Sequence, residues 1–226
     1  CMATIPEDMF IEAVNALVKA EEDWVPSEPE TSLYIRPFAF ACESSLGVHK
    51  SKAYKFVIIL SPVGAYYAEG LAPVKIMVED EYVRAVQGGT GFTKCGGNYA
   101  GSIIGQVKAE KYGCSQVLWL DGRERKYVEE VGAMNIMFKI DGEIYTAPIE
   151  GTVLPGVTRD SIIHILKDWG YKVNETHLSV DDLMQAGRDG RLEEVYGTGT
   201  AAVISPVGKV VDHGKEICFP SGMDDM

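Results

Sequence analysis

The sequence has no Cys-x-x-Cys pair, no histidine and cysteine cluster at zinc-ligand spacing and no apolar run long enough to cross a bilayer. Its five cysteines, Cys1, Cys42, Cys95, Cys114 and Cys218, are odd in number and far apart, which argues against a disulfide framework and for a reducing compartment. With His49, His164, His177 and His213 equally scattered, no metal site is expected. Positive charge is scarce: 21 Lys and Arg stand against 33 Asp and Glu, for a net charge of −12. A nucleic-acid partner is therefore not expected, because phosphate backbones are held by clustered cations. No signal peptide is visible either, so the expected setting is cytoplasmic, with no membrane partner.

What is present suits a globular protein. The 226 residues are 46% hydrophobic and 24% charged, enough for one large domain or two small ones. Both ends read as abrupt, which sets up the expectation of a piece of a longer protein. Phe10, Ile11, Val14, Leu17 and Val18 recur at helical spacing, and Pro6 suits a first turn, predicting a helix from Pro6 towards Trp24. Strands are predicted at 33–41 and 54–60, the second as a buried strand because it is continuously apolar. Pro37 places the first near an edge or bulge. Two prolines, two glycines and two tyrosines mark 62–73 as a linker, separating a domain at 1–61 from one at 74–226. Beyond it, strands are predicted at 74–78, 116–120, 135–140, 143–147, 201–205, 209–211 and 216–219, with Asp141-Gly142 as a hairpin turn. Helices are predicted at 98–112 and 158–169, and a third follows Ser179 as its cap. The sum is α+β with antiparallel strands and no internal repeat.

The chemistry centres on one lysine between two glycine clusters, Gly88-Gly89-Thr90-Gly91-Phe92-Thr93-Lys94-Cys95-Gly96-Gly97-Asn98-Tyr99. A phosphate-binding P-loop needs Gly before the lysine and Ser or Thr after it, and Thr93 and Cys95 exclude that. Two readings remain for Lys94: a surface lysine in a glycine loop, or an amine that forms a Schiff base. The second needs an electron-sink partner and a phosphate site. Glu130 qualifies as a carboxylate for a pyridine nitrogen, against the alternative of a solvated charge. Leu154-Pro155-Gly156-Val157-Thr158-Arg159 leads into a helix start that could hold an anion, or is a plain cap. Gly197-Thr198-Gly199-Thr200 offers amides and hydroxyls for the same phosphate, or is a strand-to-strand turn.

In order and content these stretches, with Ser32-Leu33-Tyr34-Ile35-Arg36-Pro37, Ser45-Leu46-Gly47-Val48, Pro62-Val63-Gly64-Ala65-Tyr66, Gln116-Val117-Leu118-Trp119-Leu120 and Glu130-Val131-Gly132-Ala133-Met134-Asn135, resemble the branched-chain amino acid aminotransferases. These are pyridoxal-phosphate enzymes of fold type IV. The resemblance runs almost end to end and implies two α/β domains, the larger mainly antiparallel and barrel-like, with 1–61 as the remainder of the smaller. It implies transamination of leucine, isoleucine and valine with 2-oxoglutarate, in ping-pong order through a Lys94 Schiff base. Tyr99 would bond the cofactor's phenolic oxygen, Glu130 its ring nitrogen, and the Val157 and Thr158 amides with Thr200 its phosphate. Tyr34, Arg36, Tyr66, Ala133 and Ala201 would line the substrate site. Leu46 and Val48 would reach the partner's site in a homodimer. Nothing matches the arginine with which the family's N-terminal portion contacts the phosphate, and Ala133 stands where vertebrate-type relatives have threonine. In-class alternatives are a D-amino acid transaminase or aminodeoxychorismate lyase; a non-catalytic fragment acting as a binding module is the alternative outside the class.

Overall fold

The computed structural model describes residues 2, 4–29, 31–64, 72–200 and 203–220. The chain divides into two compact units, Cys1–Ala68 and Glu69–Met226.

In the first unit, α1 spans Glu7–Ala20, with Pro6 at its N-cap, Glu7 and Asp8 in its first turn and Lys19 in its last. Those charges oppose the helix dipole at each end and stabilise it. A single 3-10 turn over Glu22–Trp24 follows. Strands β1 (Ser32–Ala41) and β2 (Tyr54–Val63) pair antiparallel without a slip, from Ser32 opposite Val63 to Ala41 opposite Tyr54. Pro37 lies opposite Ile58 inside the ribbon, not at a bulge. A two-stranded ribbon consists of edges, so the missing N–H is tolerated. Phe10 of α1 meets Phe56 of β2 at 5.9 Å between ring centroids. The expectation of a buried strand at 54–60 fails. No residue of β2 is buried, because two strands and one helix are too few layers to cover both faces.

The second unit is built on one sheet that closes on itself. Its strands are β3 (Val74–Glu79), β4 (Gln116–Leu120), β5 (Val128–Val131), β6 (Met134–Ile140), β7 (Glu143–Thr146), β8 (Val173–Glu175), β9 (Leu192–Gly199), β10 (Val203–Asp212) and β11 (Lys215–Cys218). The order β10-β3-β4-β5-β6 continues through β9 back to β10, a closed ring of six strands with β11, β7 and β8 appended. Most pairings are antiparallel, as expected of a mainly antiparallel larger domain, while β10–β3, β3–β4 and β7–β8 are parallel. The fold is α+β with a barrel-like larger part. The Asp141-Gly142 hairpin forms as expected, at φ 50° and 76°, joining Ile140 to Glu143. The strands predicted at 201–205 and 209–211 are one continuous β10 from Val203, with residues 201–202 outside the described set.

Helices α2 (Gly96–Lys111), α3 (Val157–Asp168) and α4 (Val180–Arg188) surround the ring. Ser179 caps α4, its hydroxyl accepting from the Asp182 amide at 3.0 Å. Among the described residues no helix is long and apolar enough to cross a membrane. On β4, Val117 and Trp119 pack with Ala109 of α2 in one core cluster, while Leu118 and Leu120 on the other face are buried too. A strand covered on both faces reads as a continuous apolar run, and Gln116-Val117-Leu118-Trp119-Leu120 does.

Helix α2 comes close because residue 105 has no side chain. A Cβ at Gly105 would lie 2.5 Å from the Trp119 ring. That ring is 1% exposed and held by its Nε1–H, which donates to the Gly132 carbonyl at 3.0 Å, so it cannot move aside. Alanine gains about 1 kcal/mol over glycine in a helix, but overpacking costs about 1–3 kcal/mol. Gly105→Ala is therefore expected to destabilise by about 1 kcal/mol in denaturant unfolding. A rise in the midpoint would refute the close packing.

Candidate active site

Lys94 lies in the segment between β3 and α2, which buried Asn98 holds from inside. The Asn98 amide donates to the Thr90 and Thr93 carbonyls, both at 2.8 Å, and its oxygen accepts from the Thr90 hydroxyl at 2.6 Å. These bonds tie the segment just before the lysine to the first turn of α2. Lys94 Nζ donates to the Tyr99 hydroxyl at 2.9 Å, and both side chains reach solvent. Asn98→Ala removes three hydrogen bonds and, among the described residues, leaves the Thr90 and Thr93 carbonyls with only the local bonds from the Thr93 and Cys95 amides. A loss of about 2 kcal/mol in thermal unfolding is expected, with faster amide exchange over 90–95. Unchanged exchange there would remove Asn98 from this role.

Glu130 is not the solvated charge its sequence context allowed. It sits on β5 opposite Trp119 on one side and Asn135 on the other, and is 3% exposed. Its Oε1 accepts from the Leu154 amide at 2.9 Å and from Asn135 Nδ2 at 3.1 Å. Arg84 Nε stands 2.7 Å from Oε2. Burial pushes the carboxyl up to about 7, against Arg84, the Leu154 amide and Lys94, which favour its charged form. Neighbouring Glu129, also raised by burial, accepts from the Thr152 hydroxyl.

At the β5–β6 turn, Gly132 takes φ 55°, and a Cβ there would strike the Gln116 side chain. Glycine takes this conformation without strain, and the tight turn exposes Ala133. Ala133 borders a cleft together with Lys94, Tyr99, Glu130, Arg84 and Leu154.

The chain beyond Leu154 enters α3 at the N-cap Gly156, and among the described residues no side chain caps this end. Val157 is 81% exposed and Thr158 half-buried, so first-turn N–H groups are free to meet an anion. The helix start is anchored from behind. Buried Arg159 donates to the Ala147 carbonyl at 2.8 Å and to Glu175 Oε2 at 2.9 Å. A Cβ on Gly156 would fall 2.2 Å from Asn135 Oδ1, so this turn packs directly on the residue that also holds Glu130.

Of the residues singled out from sequence, Lys94, Tyr99, Glu130 and Ala133 share the cleft, and Val157 and Thr158 follow its Leu154 wall in the chain. Thr200 is an exposed turn residue after β9 and does not border that cleft; Gly197, Thr198 and Gly199 lie within β9, not in a turn. Ala201 and Tyr66 lie outside the described residues. Tyr34 and Arg36 belong to β1 in the first unit, with the guanidinium 4.9 Å from the Tyr34 ring centre. Leu46 and Val48 are fully exposed between β1 and β2. Sequence reasoning passed over Arg84, Asn98 and Asn135. The two asparagines stood inside the motifs without a role, while Arg84 carried no signal beyond a cation preceding the glycine loop.

The family model for amino-transferase class IV matches residues 2–210. Branched-chain-amino-acid aminotransferase 2 of Bacillus subtilis (strain 168) is 54% identical over 222 residues, 98% of this chain and 61% of its own length. The chain thus spans about three fifths of the curated relatives it matches. The Escherichia coli branched-chain amino acid aminotransferase structure superposes with a TM-score of 0.77 at 30% identity, covering 97% of this chain and 69% of that one. The branched-chain amino acid aminotransferase of Thermoproteus uzoniensis, solved with norvaline, gives 0.72 at 28% identity, over 88% and 63%. A further branched-chain amino acid aminotransferase, solved with pyridoxamine 5'-phosphate, gives 0.77 at 29% identity, over 95% and 66%.

Proposed function

The chain belongs to the class IV aminotransferases, and on that footing we propose that it carries the active site of a pyridoxal-phosphate-dependent branched-chain amino acid transaminase. The reaction is transfer of the amino group of leucine, isoleucine or valine to 2-oxoglutarate, giving branched-chain 2-oxo acids and glutamate in ping-pong order. A homodimer in the cytoplasm is the proposed setting, with Leu46 and Val48 directed to the partner's site. The observation that carries the reading is the Lys94–Tyr99 hydrogen bond of 2.9 Å in the same cleft as the buried Glu130 carboxyl.

The donor set fits pyridoxal phosphate. An accessible primary amine suits its aldehyde, a buried carboxyl suits its pyridine nitrogen and an uncapped helix start suits its phosphate. When bound, the cofactor supplies an electron sink for charge developing at the substrate Cα. Lys94 Nζ is the proposed attachment point and, once released, the base that carries the Cα proton. Tyr99 positions that nitrogen through its hydroxyl. Glu130, as the carboxylate, would accept from the ring nitrogen and keep the proton there, and its burial would exclude water from that contact. The Val157 and Thr158 amides, with Thr200, are proposed to bind phosphate. Tyr34, Arg36, Tyr66, Ala133 and Ala201 are the proposed substrate contacts: an aromatic and aliphatic lining recognises branched side chains by shape, and Arg36 pairs with the distal carboxylate of glutamate.

Borohydride reduction of the protein with pyridoxal phosphate, followed by peptide mapping, tests this reading. The label is expected on Lys94. A label elsewhere, or none, would overturn it. An amino-donor comparison of L-isoleucine with D-alanine is expected to favour isoleucine.

A further inference from the structure

Among the described residues Arg84 is the cation in ion-pair contact with Glu130, and its position is overdetermined. Nε stands 2.7 Å from Glu130 Oε2, with the two side chains only 8% and 3% exposed. Nη2 donates to the Gly91 carbonyl at 3.3 Å and to the Thr152 carbonyl. The rigid guanidinium thus spans three segments: the glycine loop that carries Lys94, the segment after β7, and β5.

Two details make this more than a structural tie. The charged form of Glu130 is otherwise weakly supported: burial opposes it, and Glu129 next to it adds a like charge. The opposing groups are Arg84, the Leu154 amide and Lys94, and Lys94 reaches solvent, where its field is screened. Second, among the described residues Arg84 Nε has no aligned hydrogen-bond acceptor despite its short distance to Oε2. At that distance the guanidinium stabilises the charge on Oε2. Oε1 is meanwhile taken by the Leu154 amide and Asn135. Oε2 is left with lone-pair capacity for a directed donor from the cleft.

We infer that Arg84 is a positioning residue that keeps Glu130 charged and turned so that Oε2 accepts from a protonated ring nitrogen. The inference rests on the pyridoxal-phosphate reading of the cleft. A carboxylate oxygen has two lone pairs, so the guanidinium stabilises the charge on one side of Oε2 and leaves the other side for a donor from the cleft.

The test compares wild type, Arg84→Gln and Arg84→Lys. Glutamine retains a donor for the Thr152 carbonyl and removes the charge; lysine retains the charge and loses the fork. The first readout needs no cofactor: the carboxyl 13C shift of Glu130 against pH. The second is the affinity for pyridoxal phosphate at pH 7, read by absorbance.

In Arg84→Gln the Glu130 midpoint is expected to rise by about one unit or more, leaving about one carboxyl in ten charged at neutral pH. Affinity at pH 7 is then expected to fall about fivefold or more and to recover as pH rises. Arg84→Lys is expected to return the midpoint to near wild type. An unmoved midpoint in Arg84→Gln, or Gln and Lys variants that titrate alike, would overturn the inference, because a merely structural tie predicts both. If wild type titrates as expected yet Lys94 takes no borohydride label, the cofactor reading fails, and with it the directed-acceptor role. The titration separates that case from a failure of Arg84 alone.

Discussion

Lys94→Ala is expected to abolish amino transfer while leaving the fold in place. Among the described residues the lysine side chain makes one hydrogen bond, to a tyrosine that is itself 39% exposed, and it fills no core space. A surface substitution of this kind changes stability by about 0.5 kcal/mol or less. The catalytic loss is of another order. On the proposed reading the same nitrogen serves as the attachment point and the proton carrier, and a positioned base alone is worth about a hundredfold to ten-thousandfold. Turnover with isoleucine is expected to drop at least about ten-thousandfold, with an unchanged unfolding midpoint. Activity within tenfold of wild type would remove Lys94 from the chemistry, whatever the cleft binds.

Glu130→Gln is expected to cost activity and to flatten the pH dependence of stability. Glutamine can still accept from the Leu154 amide, so the local shape survives. What disappears is the countercharge of the buried Arg84 guanidinium. Losing an electrostatic partner of the reacting system costs about a hundredfold or more in kcat. The pH dependence carries a definite sign. In the folded protein the carboxyl sits at about 7, above its ordinary 4.5. Between those values the folded state holds more protons at this position than the unfolded chain. Its contribution therefore falls as pH rises from about 4.5 to about 7 and is level above that. In the absence of cofactor, wild type is expected to lose stability across that window and Glu130→Gln to lose less, measured by urea unfolding at pH 5 and pH 8. Parallel profiles would show that Glu130 is not the group concerned.

The parts legible in the sequence were those with local causes. The Asp141-Gly142 hairpin, the apolar 116–120 strand and the Ser179 cap all follow from residues adjacent in the chain. The missed strands have nonlocal ones. In β9, Glu193, Glu194 and two glycines hide the strand pattern, and it forms because β6 and β10 flank it and close the ring. In β5 the run Val-Glu-Glu-Val reads as exposed, yet both glutamates are buried, sustained by Thr152, Leu154 and Arg84 from distant parts of the chain. The site divides in the same way. Lys94, Tyr99 and Glu130 stand in motifs that can be recognised by type and order. Arg84 and Asn135 matter through the oxygens they face, and composition does not record which oxygen a side chain will meet.

The Asn135 bridge has a thermodynamic consequence. Its amide joins Glu130 Oε1 to the Leu154 carbonyl, and its oxygen abuts Gly156 at the head of α3. The carboxyl and the helix start are therefore spaced by hydrogen bonds within the protein before any ligand arrives. A ligand spanning both ends enters a gauge already set, so little of its affinity is lost to ordering the protein. The opposite end of the cleft is the solvent-facing one, where Lys94 and Tyr99 are exposed and, among the described residues, no buried group fixes the amine.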